Sequence, residues 1–283
     1  MRKGSLFTTL AVAGATAAAL SLAACGGNST STTPPGTTGA PALISVGDAP
    51  MSSILAALVT VSDVSITPSS GSPIHLLAQP RIIELTHLGG IRAPLDLHSL
   101  PQGTYTSLSL TVTAATVTYL NNGAPTTVNA TIGSPATATI QLNPTLNVDD
   151  KTATDIRFDF DLSKSFDLAN SVVTFTPSIS GAAVRVKGEG KDDRVVYLNG
   201  TVTAISTTNN TITIQQRDTG LSVTLNVNNQ TVFDDNETLA SIQVGAVVHT
   251  VDQLQSDGTL IALAIGDTDG GQNPGAGERV DNG

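Results

Sequence analysis

The sequence predicts an all-β protein: an Ig/prealbumin-like β-sandwich followed by a small β-barrel of five to six strands. Apolar residues alternate with Ser and Thr in many short segments after Leu43. Clusters of Gly, Asn and Pro separate these segments, as expected for turns. No long segment after the N-terminal region repeats its apolar residues every 3.6 positions, which argues against a helical domain.

The N-terminal residues 1–24 have the layout of a secretory signal peptide. Arg2 and Lys3 precede an almost wholly apolar or small-residue stretch, which ends in Leu-Ala-Ala directly before Cys25. This ending resembles the bacterial lipobox, and Cys25 is the only cysteine of the chain. The resemblance implies that cleavage before Cys25 leaves a lipid-modified N-terminus, and Gly26 rather than Asp in the next position implies the outer membrane. The alternative is an uncleaved transmembrane anchor.

Residues 25–42 are rich in Gly, Ser, Thr and Pro and carry no charge, so we expect a lipid-anchored flexible linker. The sandwich domain is expected over residues 43–187. A one-residue slip of the alternation near Ala115 predicts a β-bulge, and Asn121-Asn122-Gly123 predicts a hairpin turn. Antiparallel strands are predicted around residues 108–119, 128–132, 138–142, 156–162, 173–175 and 182–186.

A short charged and Gly-containing segment, residues 188–195, is interpreted as a linker between domains. The barrel domain is expected over residues 196–267, and the Gly-rich acidic residues 268–283 are expected to be a disordered tail. Its strands are predicted around residues 202–205, 211–215, 221–227, 244–251 and 260–265.

Composition excludes several function classes. The formal net charge is −10, which argues against a nucleic-acid partner because phosphate binding needs a basic surface. A single cysteine excludes an intramolecular disulfide framework and a cysteine-based metal or iron–sulfur site. We find no zinc-hydrolase, P-loop, dinucleotide or nucleophile-elbow motif, so we expect no enzyme activity, no cofactor and no bound metal.

The strand around residues 157–162 carries the strongest candidate ligands. Phe158 and Phe160 fall on one face, and Asp159 and Asp161 fall on the other. Two carboxylates in this spacing are a candidate Ca²⁺ or other ligand site, or an acid/base pair. The competing interpretation is a solvated sheet face on which Arg157 and Lys164 neutralise the carboxylates.

Two further motifs have structural interpretations. Asp48 precedes Ala49-Pro50, where a carboxylate can accept backbone N–H bonds and cap a turn; a ligand role is the alternative. Tyr105 lies in Leu-Pro-Gln-Gly-Thr-Tyr, where its hydroxyl is expected to bond to the backbone as a tyrosine corner, the alternative being an exposed contact.

The Asp48–Pro50 start, the Leu-Pro-x-Gly-x-Tyr loop ending at Tyr105 and the Asp-Phe-Asp-Leu-x-Lys-Ser strand from Asp159 resemble a domain of unknown function found in bacterial lipoproteins. The resemblance covers residues 43–187 and implies a sandwich related to carbohydrate-binding and prealbumin-like modules, without an established activity. The second domain resembles another uncharacterised envelope module, which implies a small OB-like barrel.

The sequence therefore predicts a lipid-anchored envelope protein, attached to the membrane through its N-terminal lipid, with a non-catalytic binding or structural role. A glycan or an envelope protein is the expected ligand. The alternative is a carboxylate- or metal-dependent hydrolase of envelope polymers, which would place convergent carboxylates in a concave site.

Overall fold

The structure is a computed structural model that describes residues 39–49, 52–168, 172–187, 194–234 and 237–267. The predicted signal peptide, Cys25, Pro50, most of both predicted linkers and the acidic tail lie outside these residues. None of the helices in the described ranges has the length and apolar character needed to cross a membrane.

The first domain has twelve strands and two short helical turns among the residues that the structure describes. The strands are β1 (Ala40–Ala49), β2 (Ile54–Pro68), β3 (Ile74–His75), β4 (Arg81–Glu84), β5 (Arg92–Leu100), β6 (Gly103–Asn121), β7 (Ala124–Ile132), β8 (Thr137–Val148), β9 (Thr154–Asp161), β10 (Phe166–Asp167), β11 (Thr174–Phe175) and β12 (Ile179–Arg185). The turns are a 3₁₀ helix, Thr86–Leu88, and the helix α1, Leu162–Ser165.

These strands form two sheets that share one apolar core, as the predicted sandwich requires. The four-stranded sheet has the order β12-β9-β1-β5. The eight-stranded sheet has the order β10-β11-β7-β6-β2-β3, with β4 beside β2 and β8 beside β6. Phe158 and Phe160 of β9 are buried in this core, which follows from their shared parity along the strand.

Most strand pairs of the two sheets are antiparallel, as expected, but one long pairing is parallel. β1 pairs with β9 in parallel, from Ala42 opposite Thr154 to Ala49 opposite Asp161. Strand β1 is buried along almost its whole length because the sandwich core covers one of its faces and the second domain covers Leu43 on the other. A strand buried on both faces loses its alternating pattern, so local alternation does not indicate its position.

The β6–β7 hairpin and its bulge follow the sequence pattern closely. Asn122 and Gly123 both adopt positive φ angles, 51° and 82°, as a two-residue turn of this type requires. Val112 and Ala114 of β6 lie opposite the consecutive residues Val61 and Thr60 of β2, so β6 contains one extra residue there. The predicted bulge is therefore confirmed, and it returns the following residues of β6 to the core face.

The second domain is one six-stranded sheet that closes on itself through hydrogen bonds. Its strands are β13 (Val195–Ser206), β14 (Thr211–Gln216), β15 (Ser222–Asn226), β16 (Val232–Phe233), β17 (Val247–Leu254) and β18 (Leu260–Asp267). The order β15-β14-β13-β17-β18 closes through a parallel pairing of β15 with β18, which covers only two residue pairs. This seam is too short for a complete barrel, so the domain is a five-strand ring with β16 outside it.

The two domains pack against each other through apolar side chains. Three residues of the first domain belong to the apolar core of the second domain: Leu43, Ala153 and Val186. Leu43 lies in the middle of β1 and is almost fully buried, because its side chain points away from the sandwich core and into this shared core. The second domain therefore covers the part of the outer face of the four-stranded sheet that surrounds Leu43.

Polar contacts also cross the domain boundary. Arg81 of β4 donates from Nη1 to the carbonyl of Thr219 at 3.0 Å, and from Nη2 to Asp96 at 3.2 Å. The backbone N–H of Ala153 donates to the carbonyl of Ser256 at 2.7 Å. The Arg81 bond is buried and the Ala153 bond joins two backbone groups, and both hold the two domains together.

Candidate functional site

Asp159 and Asp161 lie on the face of β9 opposite the phenylalanines, and each has a cationic partner. Both oxygens of Asp159 accept hydrogen bonds from Arg92 of β5, at 2.8 and 2.9 Å. Asp161 caps α1 and accepts a hydrogen bond from Lys164 Nζ at 2.6 Å. This hydrogen bond, with a second from Ser163, lowers the pKa of Asp161 to about 2.

The neutralising residues differ in part from those expected. Lys164 pairs with Asp161, but Arg92 rather than Arg157 binds Asp159. The Nε of Arg157 donates to Asp155 at 2.7 Å. Within the described ranges, no group of three or more His, Cys, Asp or Glu residues is arranged to hold a metal ion. Asp159 and Asp161 thus form ion pairs on the surface of the sandwich.

Asp48 lies at the end of β1 and is 8% exposed. Neither of its oxygens accepts a hydrogen bond of normal geometry from the described residues. Burial raises the pKa of Asp48 to about 7, and the nearby carboxylates of Glu84 and Asp161 act in the same direction. The Ala49 backbone N–H lowers this pKa, although it does not reach hydrogen-bond geometry. Asp48 is therefore a buried carboxyl group that readily takes up a proton.

Tyr105 is buried, and its hydroxyl donates to the carbonyl of Pro101 at 2.7 Å. A tyrosine that bonds to the backbone four residues upstream has the geometry of a tyrosine corner. The contact fixes the loop between β5 and β6 to the sandwich, and it leaves the Tyr105 ring inside the core rather than on a binding surface.

An open groove of about 560 Å³ lies between β8 and β12, the facing edges of the two sheets. At Gly181 the strands approach closely, because an added Cβ would lie 2.9 Å from Ile140 and 2.7 Å from the Arg157 carbonyl. The groove runs from there toward the end of β12. Its lining consists of Gln141, Leu142, Asn143, Pro144, Thr145, Leu146, Asn147, Gly181, Ala182, Ala183, Val184, Arg185 and Lys187.

The lining of this groove offers hydrogen bonds and positive charge. The exposed Gln141, Asn143 and Asn147 supply amide donors and acceptors along β8. Arg185 binds Asp149 and donates to Thr152 at 2.9 Å, while its Nε–H has no partner among the described residues. Lys187 is exposed at the end of the groove. None of the lining residues is a carboxylate, a histidine or an aromatic residue.

The groove could not be found from the sequence because its walls belong to different sheets. The sequence predicts one strand around residues 138–142 and another around residues 182–186, and neither pattern indicates that the two strands lie side by side. The groove forms only because β8 pairs with β6, while β12 pairs with β9.

The fold and the groove define a two-domain, all-β chain with an open polar cleft on its first domain. Residues 40–177 match the family model described as a domain of unknown function, DUF4382. Residues 199–266 match a second domain of unknown function, DUF5666. The chain thus carries two uncharacterised β domains in the order that the sequence resemblance predicts. Neither a curated protein nor a solved structure shows significant similarity to it.

Proposed function

We propose that this chain is a lipid-anchored bacterial envelope protein whose first domain is a non-catalytic binding module, with the groove between β8 and β12 as its ligand site. The observation that carries the proposal is the chemistry of the groove lining: amides, a hydroxyl and two cations. Such groups hold a ligand through hydrogen bonds and charge, but they include no general base with a pKa near neutrality.

The hydrolase alternative has less support. It needs carboxylates that converge on a concave site. Asp159 and Asp161 are not among the groove residues, and their oxygens are engaged by Arg92 and Lys164. The groove therefore supports binding more directly than it supports hydrolysis.

Between the two expected ligands, the groove favours an envelope protein over a glycan. Sugar rings are commonly bound by stacking on aromatic side chains, and the lining contains none. Tyr105, Phe158 and Phe160 are buried in the core, so they are not accessible for stacking. Backbone edges and amide side chains instead match the hydrogen-bonding groups of a polypeptide.

Anchoring at Cys25 completes the proposal. Each buried CH₂ of an acyl chain contributes about 0.8 kcal/mol, so two or three chains would hold the protein stably on a membrane. The uncharged residues 26–38 would then separate the membrane surface from β1. The groove would thus be presented a short distance from the lipid, within reach of envelope partners.

The anchor is tested by labelling cells with radioactive palmitate. We expect the wild-type chain to incorporate label and to sediment with membranes, because the thiol of Cys25 is the attachment atom. Cys25→Ser should abolish labelling, because the attachment atom is removed. Labelling of Cys25→Ser, or no labelling of the wild-type chain, would contradict lipid attachment at Cys25.

The groove is tested by affinity capture from envelope extract with the double variant Asn143→Ala/Lys187→Glu. We expect it to lose the partners that the wild-type chain captures, since it removes one amide and reverses the exposed charge of the groove. Arg217→Glu is the control, since it makes the same charge change at an exposed position in the second domain. This variant should capture the same partners as the wild-type chain. Equal capture by both variants would place the ligand site outside the groove.

A further inference from the structure

Strand β12 directs alternate backbone groups toward the groove. Asp161 N–H donates to Ser178 at 2.9 Å, and Val186 N–H donates to Ala153 at 2.8 Å. Both contacts continue the β9–β12 register, in which hydrogen-bonded pairs recur every second residue. The even-numbered residues of β12 therefore bond to β9. The odd-numbered residues, Ile179, Gly181, Ala183 and Arg185, direct their N–H and C=O groups to the open edge.

This edge lacks the features that normally protect an exposed strand. Natural sheet edges are blunted by proline, by charge, by short length or by a covering element. Strand β8 contains Pro144, and β4 begins with Arg81 and ends with Glu84. Strands β3 and β10 are short, with two residues each. Strand β5 lies against β13 of the second domain. By contrast, β12 has seven residues, no proline and no charge before Arg185.

We propose that an extended polypeptide strand of roughly six or seven residues adds to the open edge of β12, with an acidic residue placed beside Lys187. This proposal rests on the proposed function, because it specifies the ligand of the same groove. The backbone of the added strand would form hydrogen bonds with the N–H and C=O groups of the odd-numbered residues of β12. Its side chains would lie among the amide side chains of β8.

Charge supports an acidic end on the added strand. Lys187 is exposed and forms no ion pair with another described residue, whereas Arg185 is already bound to Asp149. The whole chain has a formal net charge of −10, so an exposed lysine without an ion pair to another described residue is a local positive charge on an acidic protein. Such a site selects among partner strands through electrostatic complementarity rather than through large contact area.

The test uses the full chain and fluorescent heptapeptides that alternate Thr and Val and carry two Asp residues at either end. The two placements distinguish a parallel from an antiparallel strand. We expect one placement to bind with a Kd below about 1 mM. Binding should slow hydrogen exchange of the amides in residues 179–185, and replacing the two Asp with Lys should weaken it at least fivefold.

Ala183→Pro removes one outward N–H and leaves the ladder to β9 intact, so it should weaken peptide binding by about tenfold. Ala183→Ser is the matched control, which keeps the N–H and should bind within about twofold of wild type. Val184→Lys places a charge on the edge without altering the backbone, and it should also weaken binding. Thermal unfolding of each variant verifies the fold.

Three outcomes would overturn strand addition to β12. The first is equal peptide binding by Ala183→Pro and wild type. The second is no binding and no amide protection at about 1 mM peptide. The third is loss of envelope capture with Lys187→Glu but not with Ala183→Pro, because the groove would then hold its ligand through side chains.

A concentration-dependent dimer that Ala183→Pro abolishes would instead overturn the proposed partner strand, because the edge of β12 would then bind a second copy of this chain.

Discussion

Arg81→Met is expected to lower the free energy of unfolding by about 3–5 kcal/mol, the largest effect among the changes considered. Arg81 is 5% exposed and Asp96 is 6% exposed, so the substitution leaves a buried carboxylate without its cation. It also leaves the Thr219 carbonyl of the second domain without its donor. Equilibrium denaturation in urea, monitored by circular dichroism, measures the loss.

Two controls separate the pair from the rest of the side chain. Arg81→Met/Asp96→Asn should recover part of the lost stability, because the buried charge is removed while the amide oxygen of Asn can still accept one of the two backbone N–H bonds, from Leu97 or Ala78, that the two oxygens of Asp96 accept. Arg217→Met removes an exposed arginine and should change stability by less than about 0.5 kcal/mol. A loss below about 1 kcal/mol for Arg81→Met would show that this contact does not couple the domains.

Local sequence signals predicted the local parts of the fold. The phase slip near Ala115 gave the bulge, and Asn122-Gly123 gave the hairpin turn, because both depend on neighbouring residues. The parallel pairing of β1 with β9 was missed, since it joins segments more than one hundred residues apart. The contact between Arg81 and Thr219 was missed for the same reason.

For the candidate residues, too, neighbouring contacts were predictable and distant ones were not. The alternation along β9 placed Asp159 and Asp161 on one face correctly, and the pairing of Asp161 with Lys164 spans only three residues. The partner of Asp159 is Arg92, which comes from two strands away in the same sheet. Strand order decides which cation meets which carboxylate, and no local pattern encodes that order.

Asp252 is a carboxyl group whose burial follows from the alternation of buried and partly exposed residues along β17. Val248, Thr250, Asp252 and Leu254 share one face of β17, and all four are buried inside the second domain. One oxygen of Asp252 accepts from the Thr250 hydroxyl at 2.6 Å, and the other has no hydrogen-bond partner among the described residues. Burial raises the pKa of Asp252 well above its usual value, so the folded chain favours the protonated form.

Asp252→Asn is therefore expected to stabilise the protein relative to wild type at neutral pH, with a gain that increases as the pH rises above about 4. Asp252 contributes its full stabilisation to the wild type below the pKa of the unfolded chain, near 4, because it is protonated in both the folded and the unfolded state there. This stabilisation is lost as the pH rises toward the raised pKa of the folded state, because the unfolded chain releases its proton first. Asn cannot ionise, so the variant avoids this loss.

Urea denaturation of both proteins between pH 4 and pH 8 measures this difference. The gain should grow steadily with pH, because only the wild type must take up a proton on folding, and that uptake becomes less favourable as the pH rises. Asp218→Asn removes the same formal charge from an exposed turn of the same domain, and its stability should run parallel to wild type. Parallel profiles for Asp252→Asn as well would mean that Asp252 is charged in the folded chain, with a compensating group beside it. A growing gain would instead establish that the ring of the second domain holds a neutral carboxylic acid in its core.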